Sequence, residues 1–259
     1  MLGWFAYLWF TPIPAPYQYQ LISEGDSKKF PQMDLDAWPD LKLSQYKVQA
    51  EGIDKPIAEL IVAQQGDGPR VLTYWKNSTN EILYNLDRKP SELSALAAVI
   101  GKHAPKDALI LSWWDTSRQI KLLTGHDTLF TSHLNEPLMV PVAWLEQSKA
   151  IMAYENQFWE SSANSKEQEQ FKRFSQALAA SAEEGVAQLR ELIGSNREAY
   201  LIVHVTDLYK LGLMYPDKIG VAYQNFPLTG NMHGMINHMK VQLKENDFNT
   251  YTLQSLSDE

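Results

Sequence analysis

The sequence contains no cysteine. That excludes disulfides, thiolate metal sites, a cysteine nucleophile and a covalently attached c-type haem. It does not assign a compartment, because many secreted proteins have no disulfide. Positive charge is scarce: 23 Lys and Arg stand against 31 Asp and Glu, a net charge of −8, with no long basic stretch. Nucleic-acid backbones need clustered cations, so no nucleic-acid partner is expected. Several catalytic signatures are missing. There is no HExxH, no GxSxG, no Walker loop and no GxGxxG, so zincin, α/β-hydrolase and nucleotide-loop readings have no motif to stand on. What remains is ordinary globular composition, 44% hydrophobic and 21% charged, enough for one large domain. Eight Trp and twelve Tyr form a heavy aromatic load that suits core packing.

Residues 1–10, MLGWFAYLWF, carry no charge, and the first cation is Lys28. Ten residues are too few for a membrane helix, which needs roughly 20. The stretch lacks a basic n-region and a small-residue cleavage site, so it is a poor signal peptide. Three readings stand: the lower end of a membrane helix that begins further upstream, an interfacial anchor, or an apolar arm packed on the domain. The first is preferred here. Pro12, Pro14 and Pro16 then make a stiff spacer leaving the membrane. Three regions follow: an apolar membrane-proximal segment with its spacer at 1–16, an extended linker at 17–44, and an α/β domain at 45–259.

Strands are expected near 45–50, 57–64 and 70–75, the last two as an antiparallel pair, with another strand at 81–85. Pro90-Ser91 opens a helix whose apolar face carries Leu93, Leu96, Ala97 and Ile100. Then comes the stretch that organises the chain, 104–132. It reads as a buried strand from Ala108 to Trp113, a turn at Trp114-Asp115, a helix stopping at Gly125, and a strand near Thr128. A strand this uniformly apolar is expected to be covered on both faces, and the helix–strand–helix–strand run predicts a parallel crossover. Ser165 and Gln168 open one long amphipathic helix ending at Gly194. A strand at 199–205, a helix to Leu213, a strand at KIGVAY, a helix from Asn231 and an edge strand at 248–254 complete the chain. The expected fold is α/β: a mixed, mostly parallel sheet with helices on both faces, three layers, one domain.

Trp113, Trp114 and Asp115 stand at the carboxyl end of a strand, where open α/β sheets bind ligands. Asp115 also suits plain helix capping. Arg118, one turn on, reads as its ion-pair partner, an anion ligand or a solvated charge. His126 completes the candidate ligand-binding group. Metal ligands would come from His126, His133, His204 and His233, with Asp115. His233 and His238 stand five apart, about 140° around a helix, too far to share one ion. The loop 228–234 enters a helix N-terminus, a place for an anion or simply an Asn-capped start. Met232, Met235 and Met239 at helical spacing are core before they are a copper site. No residue is assigned a catalytic role, and no cofactor is required beyond a possible metal ion.

Two resemblances attach to these residues. ILSWWDTSRQIKLLTGHDTLF is similar to the WWDYG-containing segment of oligosaccharyltransferase catalytic subunits, where that segment helps form a peptide-binding pocket. Here Thr116 and Ser117 replace the Tyr-Gly, which implies kinship of fold and leaves a peptide-binding module as one alternative. The apolar N-terminus, PAPYQYQLISEGD, WWDTSRQIKLLTG and GNMHGMINHMK together resemble the HaoB family. That family is encoded beside hydroxylamine oxidoreductase in ammonia-oxidising bacteria and some methanotrophs. The resemblance implies a membrane-anchored accessory protein of hydroxylamine oxidation on the periplasmic face of the inner membrane. Its partners would be the multihaem oxidase, a cytochrome or a small nitrogen compound. A metal-dependent oxidoreductase of small nitrogen oxides is the enzymatic alternative.

Overall fold

The computed structural model describes residues 14–78, 89–161, 165–194, 197–221 and 232–247. The expected strands at 81–85 and 248–254 and the loop before Met232 lie outside the described residues. Four strands, β1 (Tyr17–Gly25), β2 (Leu41–Ala50), β3 (Ala58–Gln65) and β4 (Val71–Asn77), form an antiparallel meander in the order β1-β2-β3-β4. A second sheet is parallel and small: β6 (Asp127–Thr128), β5 (Leu109–Leu111) and β7 (Ala199–Leu201), in that order. The helices are α1 (Glu92–His103), α2 (Trp114–Thr124), α3 (Ser148–Phe158), α4 (Ser165–Leu178), α5 (Ala182–Ile193), α6 (Val205–Met214) and α7 (Met232–Glu245).

The fold is mixed α/β, but the larger sheet is antiparallel, not mostly parallel as expected. Consecutive strands joined by short turns pair antiparallel, and the sheet is covered on both faces. On one face of the meander Leu41, Leu43, Ile61 and Ala63 meet Leu93 and Ala97 of α1 and Leu123 of α2. On the other, Val48, Ala58, Leu60 and Val62 meet Trp159, which follows α3. β3 is therefore buried on both sides and reads as a continuous apolar run, although its neighbours are antiparallel hairpins.

The parallel sheet is also covered twice. Ile110 packs with Ile100 of α1 and Ile120 of α2. Leu109, Leu111 and Trp113 pack with Phe171 and Phe174 of α4 and Leu211 of α6. Helices α1 and α2 thus lie between the two sheets. The packing order is α3, antiparallel sheet, α1 and α2, parallel sheet, then α4 to α6. That is more layering than the three layers expected.

Two other expectations fail for local reasons. Residues 17–44 are not a linker. Tyr17 and Tyr19 alternate with exposed glutamines along β1, and two 3-10 turns over 27–33 bury Phe30, Met33 and Leu35 in the core. The single helix expected over 165–194 is two. Ser181 caps α5 by accepting the Glu184 N–H, a Ser-x-x-Glu signature visible in the sequence. A side chain at Gly185 would lie 2.5 Å from the Ala177 carbonyl, so α5 passes α4 at a distance only glycine permits. KIGVAY shows no strand over its described residues, 218–221.

The crossover β5–α2–β6 is parallel as expected, and Gly125 at φ +73° ends α2. Ile120, fully buried between the sheets, is the test of that layering. Ile120→Ala should cost about 2–5 kcal/mol in urea unfolding. A loss under about 1 kcal/mol would contradict the placement of α2.

Candidate functional site

The sequence-predicted residues fall into two groups at the start of α2 and one at its far end. Trp113 is the residue before α2, and Asp115 lies in its first turn. The Asp115 carboxylate accepts the Thr116 backbone N–H at 2.6 Å. Its other oxygen lies 3.2 Å from Lys210 Nζ on α6. Lys210 also reaches Asp207 at 3.3 Å and sits 4.9 Å over the Trp113 ring. Asp207, almost wholly buried, accepts the His204 backbone N–H at 2.9 Å, and the His204 ring accepts the Thr206 N–H: a capping box that starts α6. Two carboxylates thus share one ammonium at the carboxyl ends of β5 and β7. Asp115 serves its helix and an ion pair together. Lys210 was not read from the sequence, since its spacing from Asp115 is 95 residues.

The second group is buried. Trp114 donates its indole N–H to the Glu136 carbonyl at 2.5 Å. Arg118, 5% exposed, hydrogen-bonds the Arg70 carbonyl at 2.6 Å and His133 Nδ1 at 3.1 Å. It is thus neither a solvated charge nor a direct partner of Asp115 in a salt bridge. A guanidinium only donates, so Nδ1 of His133 is an acceptor and Nε2 carries the proton. Nε2 then donates to Asn135 Oδ1 at 2.6 Å, and the Asn135 amide donates to Asn156 at 2.8 Å. The His133 ring stacks on Trp159 (4.7 Å, 13°) and meets Trp114 edge-on at 4.5 Å. Burial, then the Arg118 charge, push the imidazole down to about 3. Burial also lowers Arg118 to about 10, so it remains a cation at neutral pH.

Trp159 continues the chain of contacts. Its indole N–H donates to Glu155 at 2.8 Å. The hydroxyls of Tyr19 (2.8 Å) and Tyr17 donate to the other oxygen of the same carboxylate. Burial first, and the Glu155 charge second, push both phenols above their ordinary range. Tyr154 accepts the Tyr19 backbone N–H at 2.7 Å. Sequence reading missed this cluster. Its signals are the two-residue spacing of Tyr17 and Tyr19 on a strand and the four-residue spacing of Glu155 and Trp159 on a helix.

His126 does not join these groups. It follows α2, about 16 Å of helix away from Asp115, and its ring bonds Thr124 and the Ala104 carbonyl. Among the described residues no three His, Asp or Glu side chains converge as a metal site requires. His126, His133 and His204 each serve a different local network, so they do not form the joint ligand set expected of them. The side chain of His233 lies outside the described residues.

A family model described as HaoA-associated protein HaoB matches residues 1–259, the whole chain. The chain belongs to the HaoB family. The family takes its description from an association with HaoA, hydroxylamine oxidoreductase. No curated protein and no solved structure matches it. In this HaoB-family chain the Trp-Trp-Asp stretch is the hinge between the two networks: Trp113 and Asp115 face Lys210, and Trp114 and Arg118 face His133.

Two outcomes follow from these networks. The His133 ring is neutral in the folded chain and protonates freely when unfolded. Its stabilising contribution is therefore complete above the unfolded value of about 6.5 and is lost as pH falls toward 3. Between pH 6.5 and 5 this one ring should remove about 2 kcal/mol of unfolding free energy. Urea titrations of the native chain should show that slope, and His133→Gln should lack it; equal slopes would contradict the neutral buried ring. Lys210→Met leaves Asp115 and Asp207 together without their cation, and should cost about 1–3 kcal/mol. In an Asp115→Asn background the loss should shrink. Identical losses in both backgrounds would mean that the Asp115–Lys210 pair carries no coupling.

Proposed function

We propose that this chain is an accessory protein of hydroxylamine oxidation, held at the periplasmic face of the inner membrane by its N-terminal segment. Its partner is the multihaem oxidase, ahead of a cytochrome or a small nitrogen compound. The observation that carries the reading is the match of the whole chain to a family described by its association with HaoA. The geometry supports docking as the mode of action. The polar groups at the start of α2 are engaged with one another: Asp115 with Thr116 and Lys210, Arg118 with Arg70 and His133. The segment that supplies His204, Asp207 and Lys210 also exposes Leu201, Val203, Leu208 and Leu213. Apolar surface next to a shared-charge pair suits a protein partner, whose anchors are apolar and whose charges set register. The net charge of −8 favours a basic partner face.

The engaged Asp115 gives a peptide-binding groove little to offer. The separated networks of His126, His133 and His204 give the metal-dependent oxidoreductase no ligand set among the described residues.

The test is biosensor binding of the chain to purified hydroxylamine oxidoreductase. The native chain should bind, and the Val203→Glu/Leu208→Glu double variant should bind at least tenfold more weakly while keeping its circular dichroism. No binding by the native chain would overturn the choice of partner. Full affinity in the double variant would overturn docking through β7 and α6.

A further inference from the structure

Residues 137–145, Pro-Leu-Met-Val-Pro-Val-Ala-Trp-Leu, contain no charged side chain. Ahead of α3 they form a loop and a 3-10 turn that bury none of Val142 to Gln147. Val142 is 85% exposed, Leu145 55% and Met139 44%. Three large aliphatic side chains in one short charge-free loop are an unusual surface for a protein to show to water.

The position of the loop says what meets it. The Trp144 ring stacks on Tyr17 at 5.7 Å, and Tyr17 in turn packs edge-on against Tyr154. A shallow pocket of about 200 Å³ lined by Pro14, Ala15, Tyr17 and Tyr154 adjoins this contact. Tyr17 is seven residues from Phe10, and seven residues span no more than about 25 Å. Every residue from 1 to 23 is uncharged. The loop therefore packs on the strand into which this uncharged stretch leads. An apolar medium that takes up Phe10 is joined to the strand under this loop by at most about 25 Å of chain.

We infer that the 137–145 loop is a second membrane contact: Met139, Val142 and Leu145 enter the lipid interface beside the N-terminal segment, with Trp144 at headgroup level. This rests on the reading that the N-terminal segment enters a bilayer. Indole and phenol rings favour the interface, where an apolar body and a polar edge are both satisfied. Glu136 and Glu146 bracket the loop and mark the water side of the contact. Two attachments would fix the orientation of the domain on the membrane, which a single tether cannot do.

The absence of cysteine makes the test direct. Val142→Cys, Trp4→Cys and Val186→Cys, each in the full chain, take an environment-sensitive fluorophore at one site. Val142 and Val186 are both exposed, so neither change disturbs the core. Each chain is mixed with phosphatidylcholine–phosphatidylethanolamine vesicles, with and without a nitroxide-labelled lipid. The expected result is a blue shift and nitroxide quenching at positions 142 and 4, with position 186 unchanged. Quenching at 4 without quenching at 142 overturns the loop contact and leaves the anchor standing. Quenching at 142 alone overturns the anchor and, with it, the loop as a second contact beside it. No quenching at either overturns both. A blue shift at 142 that needs no vesicles and grows with protein concentration overturns the proposal, since a second copy then covers the loop.

Discussion

Arg118 is the contact on which the arrangement of the two sheets depends. It stands on α2, the helix shared by both, and its guanidinium is buried against the Arg70 carbonyl at the start of β4, the outermost strand of the antiparallel sheet among the described residues. Its neighbour Gln119 does the same for the Leu72 carbonyl at 2.6 Å. These two side chains satisfy two backbone carbonyls of one strand from one helix. The helix is thereby fixed along β4 while Ile120 faces the parallel sheet. The arrangement is costly. A buried guanidinium loses most of its hydration, and its Nε has no partner among the described residues. The tendency toward a lowered Arg118 pKa reports that cost.

The same charge dictates the chemistry of its neighbours. Because Arg118 can only donate, His133 must accept at Nδ1, donate at Nε2 and remain neutral. Because His133 is neutral, it can stack face to face on Trp159 without a buried second cation. Trp159 in turn delivers its N–H to Glu155. A positive group at one end and a carboxylate at the other are linked through an imidazole and an indole, with no titrating group between them at neutral pH. Glu155 has no cation in direct contact within this cluster. Three donors from two elements hold it instead, which ties β1 to α3. That tie adds to the antiparallel pairing of β1 with β2 along its length.

Local signals were legible in the sequence, and long-range ones were not. The bounds of α2 follow from the Trp-Trp-Asp start and Gly125 stop, and the parallel pairing of β5 with β6 follows from the crossover pattern. The antiparallel character of β2, β3 and β4 was only half visible. The β3–β4 pair was legible as antiparallel, but the crossover pattern around β5 was extended to the whole sheet, whereas it holds only for the small second one. Prolines and acids at 17–44 hid the alternation of Tyr17 and Tyr19. The break between α4 and α5 was written as Ser181-x-x-Glu184, but a strong apolar period ran across it. Of the candidate site, Trp113 and Asp115 do meet a charged partner. That partner, Lys210, comes from α6, and no spacing rule reaches across that interval. Imidazole counts mislead for a related reason. His126, His133 and His204 each satisfy a neighbour within two residues or a helix end, tasks that sequence alone does not separate from metal binding.

Satisfied polar networks leave the surface as the part of this chain that meets other molecules. Two apolar surfaces stand out, and they lie at opposite ends of the packing order. One is the 137–145 loop, beside β1 and α3. The other is the β7–α6 segment, beyond the parallel sheet, with Leu201, Val203, Leu208 and Leu213 exposed. Between them lie both sheets and the α1–α2 layer, whose rigidity rests on Arg118, Ile120 and the capped start of α6. On the reading proposed here, a chain attached to lipid at the first surface presents the second to the aqueous side. The polar network around Asp115, Asp207 and Lys210 then has a mechanical role. It fixes α6 against α2, so the exposed leucines and valine are held in one orientation relative to the membrane. A docking surface held this way loses less freedom on binding than a loop would, and that is the physical advantage of placing an ion pair behind it rather than in it.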